Sequence, residues 1–168
     1  MDKEIALAMA NLSTGIYVLT VNDGTHRHGM SSSWVTQVSG EPPLFMAAID
    51  NHHFSRAIVS DSGVFGFNIV GRRGKELEDY FYSARSRKPD NLEGLAYELS
   101  PRLRVPWLNL AMISIEARVV ASHLVGDHTM FIGEMAGVRI GADDEPLTSL
   151  DLDYVYVGGK ELLKRVRE

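Results

Sequence analysis

Three clusters of side chains in this chain carry groups that could bind a ligand or move charge. The first is the hydroxyl run Ser31-Ser32-Ser33 with Thr36, preceded by Gly29-Met30 and interrupted by Trp34. Taken alone, such a run is most often a solvated turn or sheet edge. On a strand, Ser31 and Ser33 face one side and Ser32 the other, so only part of the cluster would address one ligand. Small side chains here would also let backbone N–H groups approach a flat ring and bond its carbonyls and nitrogens. The second cluster, Asp50-Asn51-His52-His53-Phe54-Ser55-Arg56, stands where the apolar run Leu44 to Ile49 ends and helix-like spacing begins. The first N–H groups of a helix are unpaired and its dipole favours an anion, so His52, His53, Ser55 and Arg56 suit a phosphate. Asp50 or Asn51 reads equally as a helix cap, and the two readings are compatible. A metal at His52-His53 is the weaker reading, because adjacent residues on an extended chain diverge; no metal site is expected. The third cluster, Gly126-Asp127-His128-Thr129, has the residues of a hairpin turn and carries one histidine.

The elements that must position these groups are mostly strands. Gly15 to Val21 is rich in β-branched and aromatic residues, and Asn22-Asp23-Gly24 signals a hairpin into a second strand from about His28. Glu41-Pro42-Pro43 turns the chain into Leu44 to Ile49. Val64 to Val70 is expected as a strand stopped by Gly71, Ala111 to Val120 as a half-buried strand, Thr129 to Ile140 as its return, and Tyr154 to Val157 as a short last strand. Helical spacing appears in Lys3 to Leu12, with Asp2 as N-cap, in Ser55 to Asp61, and in Gly74 to Tyr82. Residues 83–106, broken by Pro89, Pro101 and Pro106, read as an ordered excursion. Many strands and few long helices predict a mainly β fold, a closed or nearly closed antiparallel barrel with peripheral helices.

Composition narrows the function. At 168 residues with 45% hydrophobic residues the chain fits a single domain over 1–168 with one sizeable core. A net charge of −5 without a Lys/Arg block argues against nucleic acid; Arg72-Arg73 and Arg85-Ser86-Arg87-Lys88 are small and interrupted. The absence of cysteine excludes disulfides, thiolate nucleophiles and Cys-ligated metal. No apolar run approaches a membrane span, and the first residues lack a secretion signal, so a cytoplasmic protein without membrane contact is expected. Asn11-Leu12-Ser13 matches a glycosylation sequon by chance on that reading. There is no Gly-x-Ser-x-Gly elbow, Walker loop, Gly-x-Gly-x-x-Gly or His-Glu-x-x-His. From the residues alone, the reading reaches a small β-barrel with an anionic, ring-containing ligand.

The ordered segments Gly29 to Thr36, Pro42-Pro43-Leu44, Phe65-Gly66-Phe67-Asn68, Val105-Pro106-Trp107-Leu108 with Ile115-Glu116, and Gly126 to Glu134 resemble the flavin reductase-like family of FMN-binding split barrels. The resemblance runs from about Ala8 to Lys160. It implies a Greek-key split β-barrel that dimerises with itself and binds flavin near the subunit interface. It further implies that Met30, Ser31, Ser32, Ser33 and Trp34 lie along the flavin ring, flanked by Ala48, Ile49 and Asp50. His53 and Ser55 would hold the phosphate, Asn68 would complete the pocket, and His128 would sit beside the flavin or the nicotinamide as the catalytic candidate. Two departures stand out. Asp90-Asn91-Leu92 replaces an Asp-Lys-Phe-like piece, so no ligand contact is carried to Asn91, and Asn51-His52-His53 replaces a hydroxyl-richer phosphate loop.

The activity that the resemblance implies is an NAD(P)H-dependent flavin reductase, passing hydride from nicotinamide to FMN or FAD. An oxygenase or another electron-acceptor protein is the expected partner. The alternatives are a flavoredoxin-like FMN carrier serving a protein partner, a flavin-binding module without turnover, and, more weakly, oxidation of a pyridoxine-type substrate.

Overall fold

The computed structural model describes residues 2–83, 87–158 and 162–164; Arg85-Ser86 of the basic cluster and Lys160 lie outside them. The chain opens with α1 (Lys3–Ala10), started by the Asp2 carboxylate accepting the Glu4 N–H. The strands β1 (Tyr17–Asn22), β2 (Arg27–Ser32), β3 (Val35–Ser39) and β4 (Leu44–Asp50) follow, then α2 (Phe54–Ser62) and β5 (Val64–Ile69). Gly63, at φ 68°, caps α2 in the left-handed region that glycine tolerates. A 3-10 turn, Arg72–Gly74, leads into α3 (Lys75–Tyr82). Within the excursion lie the short strands β6 (Tyr97–Leu99) and β7 (Pro106–Leu108), which pair with each other. The long hairpin β8 (Ile113–Val125) and β9 (His128–Ile140) and the short pair β10 (Tyr154–Tyr156) and β11 (Leu162–Lys164) complete the described elements.

Seven strands form one antiparallel sheet in the order β2-β1-β5-β8-β9-β4-β3. β1 pairs with β5 and β4 with β9, partners far apart in sequence, so the sheet is a Greek key rather than an up-and-down meander. The two edges of that order, β2 and β3, are consecutive in the chain and joined only through Ser33-Trp34. The sheet therefore curls until its edges meet. A barrel closed by a short covalent link instead of a full ladder is a split barrel, as the resemblance implies, and the split is where a ligand can enter.

β1 shows why the first strand lacks an exposed polar face. Its Leu19 and Val21 point into a core with Phe45, Ile49, Phe65, Phe67 and Phe131. Its Val18 points the other way, into a second core with Leu77, Phe81, Leu92 and Leu108. A strand buried on both faces has no polar side to show. β8 runs to Val125, past the Val120 end expected from sequence, because the hairpin continues with register shifts at Glu116/Ala117 and Val119/Ala121. Among the described residues no helix is long and apolar enough to cross a membrane.

Candidate active site

The split between β2 and β3 opens a cleft of about 360 Å³, lined along one side by Gly29, Met30, Ser31, Ser32, Ser33 and Trp34. All three serines reach it, contrary to the strand alternation expected from sequence. β2 ends at Ser32, and Ser33-Trp34 lie outside any strand, so the chain turns there and presents consecutive side chains to one space. Ala48, Asp50, His52 and His53 line it from β4 and the loop into α2, Phe81 and Tyr82 from α3, Tyr156 from β10 and His128 from β9.

Register places His128 here: it opens β9 directly opposite Asp50 of β4. The turn before it is fastened to the phosphate-loop candidate, for Asn51 N–H donates to the Asp127 carbonyl at 2.9 Å and Thr129 Oγ donates to Asn51 Oδ1 at 2.7 Å. The Gly126–Thr129 segment is thus both a hairpin turn and a cleft wall. His128 Nδ1 lies 2.6 Å from Asp127 Oδ1, and this bond holds the Asp127 carboxyl below its usual range. With Nδ1–H donating to the Asp127 carboxylate, the ring is fixed in tautomer and angle. Its face meets the Trp34 ring, centroids 4.5 Å apart, and Trp34 in turn meets Tyr156 at 5.3 Å. The cleft therefore has a continuous wall of three rings.

At the other end, His53 is the N-cap of α2, its Nδ1 accepting the Ser55 N–H at 3.2 Å. That bond requires an unprotonated Nδ1, hence a neutral ring with its proton on Nε2. Burial, reinforced by the neighbouring His28, holds His53 down to about 4, against the opposing pull of Asp50. The rings of His28 and His53 lie 5.5 Å apart. Among the described residues, Ser55 Oγ and His28 Nε2 are buried without a hydrogen-bond partner. Asp50 accepts the His52 N–H at 2.7 Å, turning the loop toward the helix.

Of the residues singled out from sequence, Met30, Ser31, Ser32, Ser33, Trp34, Ala48, Asp50, His53 and His128 come together at this cleft. Ile49, Ser55 and Asn68 do not line it. Ile49 alternates inward from β4 and is fully buried in the barrel core. Ser55 sits in the first turn of α2, fully buried. Asn68 is a polar hub: its amide donates to Val18 O, Thr20 Oγ and Pro106 O, while its carbonyl accepts from Leu108 N–H and Ser114 Oγ. Sequence reading passed over Phe81, Tyr82 and Tyr156, whose helical or alternating spacing reads as core, and over Asp127, read as turn residue only.

The fold is an antiparallel Greek-key split barrel with a ring-walled cleft that ends at a helix N-terminus. The chain belongs to the flavin reductase like domain family, whose model matches residues 9–158. It is accordingly an oxidoreductase of the flavin reductase type. It is 28% identical over 131 residues to an NADH-dependent flavin reductase from Rhodococcus, covering 76% of this chain and 71% of that protein. It is 27% identical over 160 residues to a ferric-chelate reductase (NAD(P)H) from Archaeoglobus fulgidus, covering 94% and 92%. Among solved structures, the styrene monooxygenase flavin reductase from Pseudomonas putida S12 superposes with a TM-score of 0.75 at 26% identity, over 87% of this chain and 92% of that one.

Proposed function

We propose that the chain, as one domain over residues 1–168, uses this cleft to bind FMN, or FAD as the alternative, and to reduce it with NADH or NADPH. The observation that carries the reading is the convergence of Met30 to Trp34, Ala48, Asp50, His53 and His128, from three separate stretches of sequence, on one cleft. The side chains suit a flavin. Small residues and Met30 leave room for a flat ring, the serines offer donors and acceptors to its carbonyls and nitrogens, and the cleft reaches His53, the N-cap of α2, where an anion is favoured.

Bound flavin supplies a ring that accepts hydride, and the nicotinamide supplies the hydride from its C4. The protein's work is to hold two rings face to face and exclude water. Met30 and Ala48 offer apolar contact to the flavin ring, and Ser31, Ser32 and Ser33 hydrogen-bond its polar edge. His53 Nε2–H and the first turn of α2, which holds the buried Ser55, take the phosphate. The Trp34–Tyr156 wall confines the nicotinamide, and His128, locked by Asp127, positions it. His128 is the catalytic candidate in this sense, rather than as an obligatory acid or base.

The exposed apolar residues of the β8–β9 hairpin, among them Val120, Leu124, Val125, Val138 and Ile140, support a homodimer. A soluble cytoplasmic enzyme delivering reduced flavin to an oxygenase fits the styrene monooxygenase relative; a ferric chelate as acceptor fits the Archaeoglobus relative. Anaerobic stopped-flow absorbance of the protein with FMN or FAD, mixed with NADH and separately with NADPH, tests the reading. Rapid bleaching of the oxidised flavin band by either nucleotide is expected and names the donor. Flavin that binds but stays oxidised with both would instead mark a carrier fed by a protein.

A further inference from the structure

Among the buried polar side chains that the proposed mechanism does not use, Asn91 stands apart. It is 1% exposed and does not line the cleft, yet both of its amide atoms are committed to one residue that does. Gly29 N–H donates to Asn91 Oδ1 at 2.7 Å, and Asn91 Nδ2 donates to Gly29 O at 2.7 Å. β2 is an edge of the seven-stranded sheet, so Gly29 has a strand on one side only. The Asn91 carboxamide, with one donor and one acceptor in a plane, completes the other side as the peptide group of a missing strand would.

The neighbours of Asn91 reinforce the same junction. His28 Nδ1 lies 3.0 Å from both Lys88 O and Pro89 O, so the preceding residue of β2 is tied to the same segment. Tyr80 O–H donates to Asn91 O at 2.6 Å and fixes the segment to α3. Leu92 and Phe81 press on Gly29 so closely that a Cβ there would fall 2.7 Å from the Phe81 ring and 3.1 Å from Leu92. Phe81 of α3 and Leu92 of the docked segment together fill the space that a side chain at Gly29 would take. The next residues along β2 are Met30, Ser31 and Ser32, the flavin-facing side of the cleft.

We propose that Asn91 is a positioning residue of the flavin site: by pairing with both backbone groups of Gly29, it sets the height at which Met30 to Ser33 meet the flavin ring. Segment Lys88 to Leu92, outside the cleft, is thereby part of the binding machinery. This rests on the cleft being the flavin site. It also gives Asn91 a function where the sequence departs from the Asp-Lys-Phe-like piece of relatives: its side chain holds the strand that meets the ligand.

Asn91→Leu keeps the size of the side chain and leaves both Gly29 groups unpaired. It is expected to raise the flavin KM and the flavin Kd about tenfold, the scale of losing partners for buried polar groups. The KM for the nicotinamide nucleotide and kcat at saturating flavin are expected to stay within about threefold of wild type. A general loss of folded protein lowers apparent kcat and leaves the flavin KM alone, so the split separates positioning from stability. A flavin KM and Kd within twofold of wild type would overturn the proposal. Should Asn91→Leu fail to fold, Tyr80→Phe decides: removing the O–H that holds the Asn91 carbonyl should raise the flavin KM about threefold, and an unchanged KM would overturn the proposal equally. Flavin titration of the wild-type protein, followed by fluorescence, runs alongside. Wild-type protein that binds no flavin sinks the flavin reading itself, whereas equal binding by wild type and variants sinks only the role of Asn91.

Discussion

Asn68 and Ser55 are both fully buried polar side chains, and they have opposite surroundings. Every polar atom of the Asn68 amide is occupied, and its neighbours are occupied in turn: Thr20 Oγ donates to Pro106 O at 2.6 Å, and Arg139 Nη2 reaches both Ser114 Oγ and Leu108 O. This hub ties β1, β5, β7, β8 and β9 together. Among the described residues Ser55 Oγ has no partner, and neither does the buried His28 Nε2. Burying a polar group without a partner costs stability, so a fold tolerates it where something outside the chain completes the bond. A saturated cluster holds the barrel; the unsaturated one lies at the helix N-terminus that the proposed function gives to the phosphate.

The comparison breaks most readily at the hub. Asn68→Leu removes the side-chain partner of the Leu108 N–H and one bond each from Val18 O, Pro106 O and the Ser114 hydroxyl, deep in the fold. The expected loss is roughly 3–5 kcal/mol, the range for breaking a buried hydrogen-bond network. Urea denaturation measures it. The contrast fails if the variant keeps its stability and instead loses flavin, for then Asn68 would belong with the cleft.

His128→Ala tests the cleft at the wall. Removing a ring held by Asp127 and packed on Trp34 frees the nicotinamide to misalign, and misplacement of a reacting ring lowers the rate of hydride transfer by about 10- to 100-fold. Flavin Kd should change by less than about threefold, since the phosphate end and the serines are untouched. Single-turnover stopped-flow reduction, with flavin titration beside it, separates the two quantities. Equal reduction rates in both proteins would remove His128 from the mechanism.

The pH dependence sharpens the contrast further. His53 is neutral in the fold and held down to about 4, whereas an unfolded histidine takes its proton near 6.5. Between those values the unfolded chain binds the extra proton, so folded stability rises with pH across the window and is lost as pH falls from about 6.5 toward 4. The ring is partly exposed, so the effect is on the order of 1–2 kcal/mol rather than the full linkage value. His53→Asn keeps a side-chain acceptor for the Ser55 N–H and removes the titration. Comparing the stability of the two proteins at pH 7 and pH 5 should show wild type losing more; parallel curves would mean that His53 is not desolvated.

Much of the fold was legible because its pattern is local. Alternation marks β8, Asn22-Asp23-Gly24 marks the first hairpin, Gly63 stops α2, and Asp2 starts α1. The clusters at residues 30–34, 50–53 and 128 were legible as chemistry for the same reason. Tyr82 and Tyr156 were not, because each ends or closes an element whose spacing looks like core, and only the packing of α3 and β10 beside the split brings them to the cleft. Asn68 shows the other limit. A polar residue in a strand reads alike whether it faces a pocket or a hub, and the partners that decide, Pro106, Leu108 and Ser114, are distant in sequence. Asn91 combines both: its pairing with Gly29 spans 62 residues and leaves no periodic trace.

Ser55→Ala gives the smallest and most diagnostic effect. The hydroxyl forms no bond among the described residues, so its removal deletes an orphaned polar atom rather than an interaction, while the helix start survives because the Ser55 backbone N–H still donates to His53 Nδ1. Stability should hold or rise by a few tenths of a kcal/mol, in contrast to the loss expected at Asn68. If the hydroxyl awaits the flavin phosphate, FMN affinity should fall about three- to fivefold, while riboflavin, which has no phosphate, should bind variant and wild type alike. Isothermal titration with both ligands reads the difference directly. Equal loss for riboflavin would place Ser55 against the ring rather than the phosphate. No loss for either would return the unpartnered hydroxyl to the fold and end its part in the comparison.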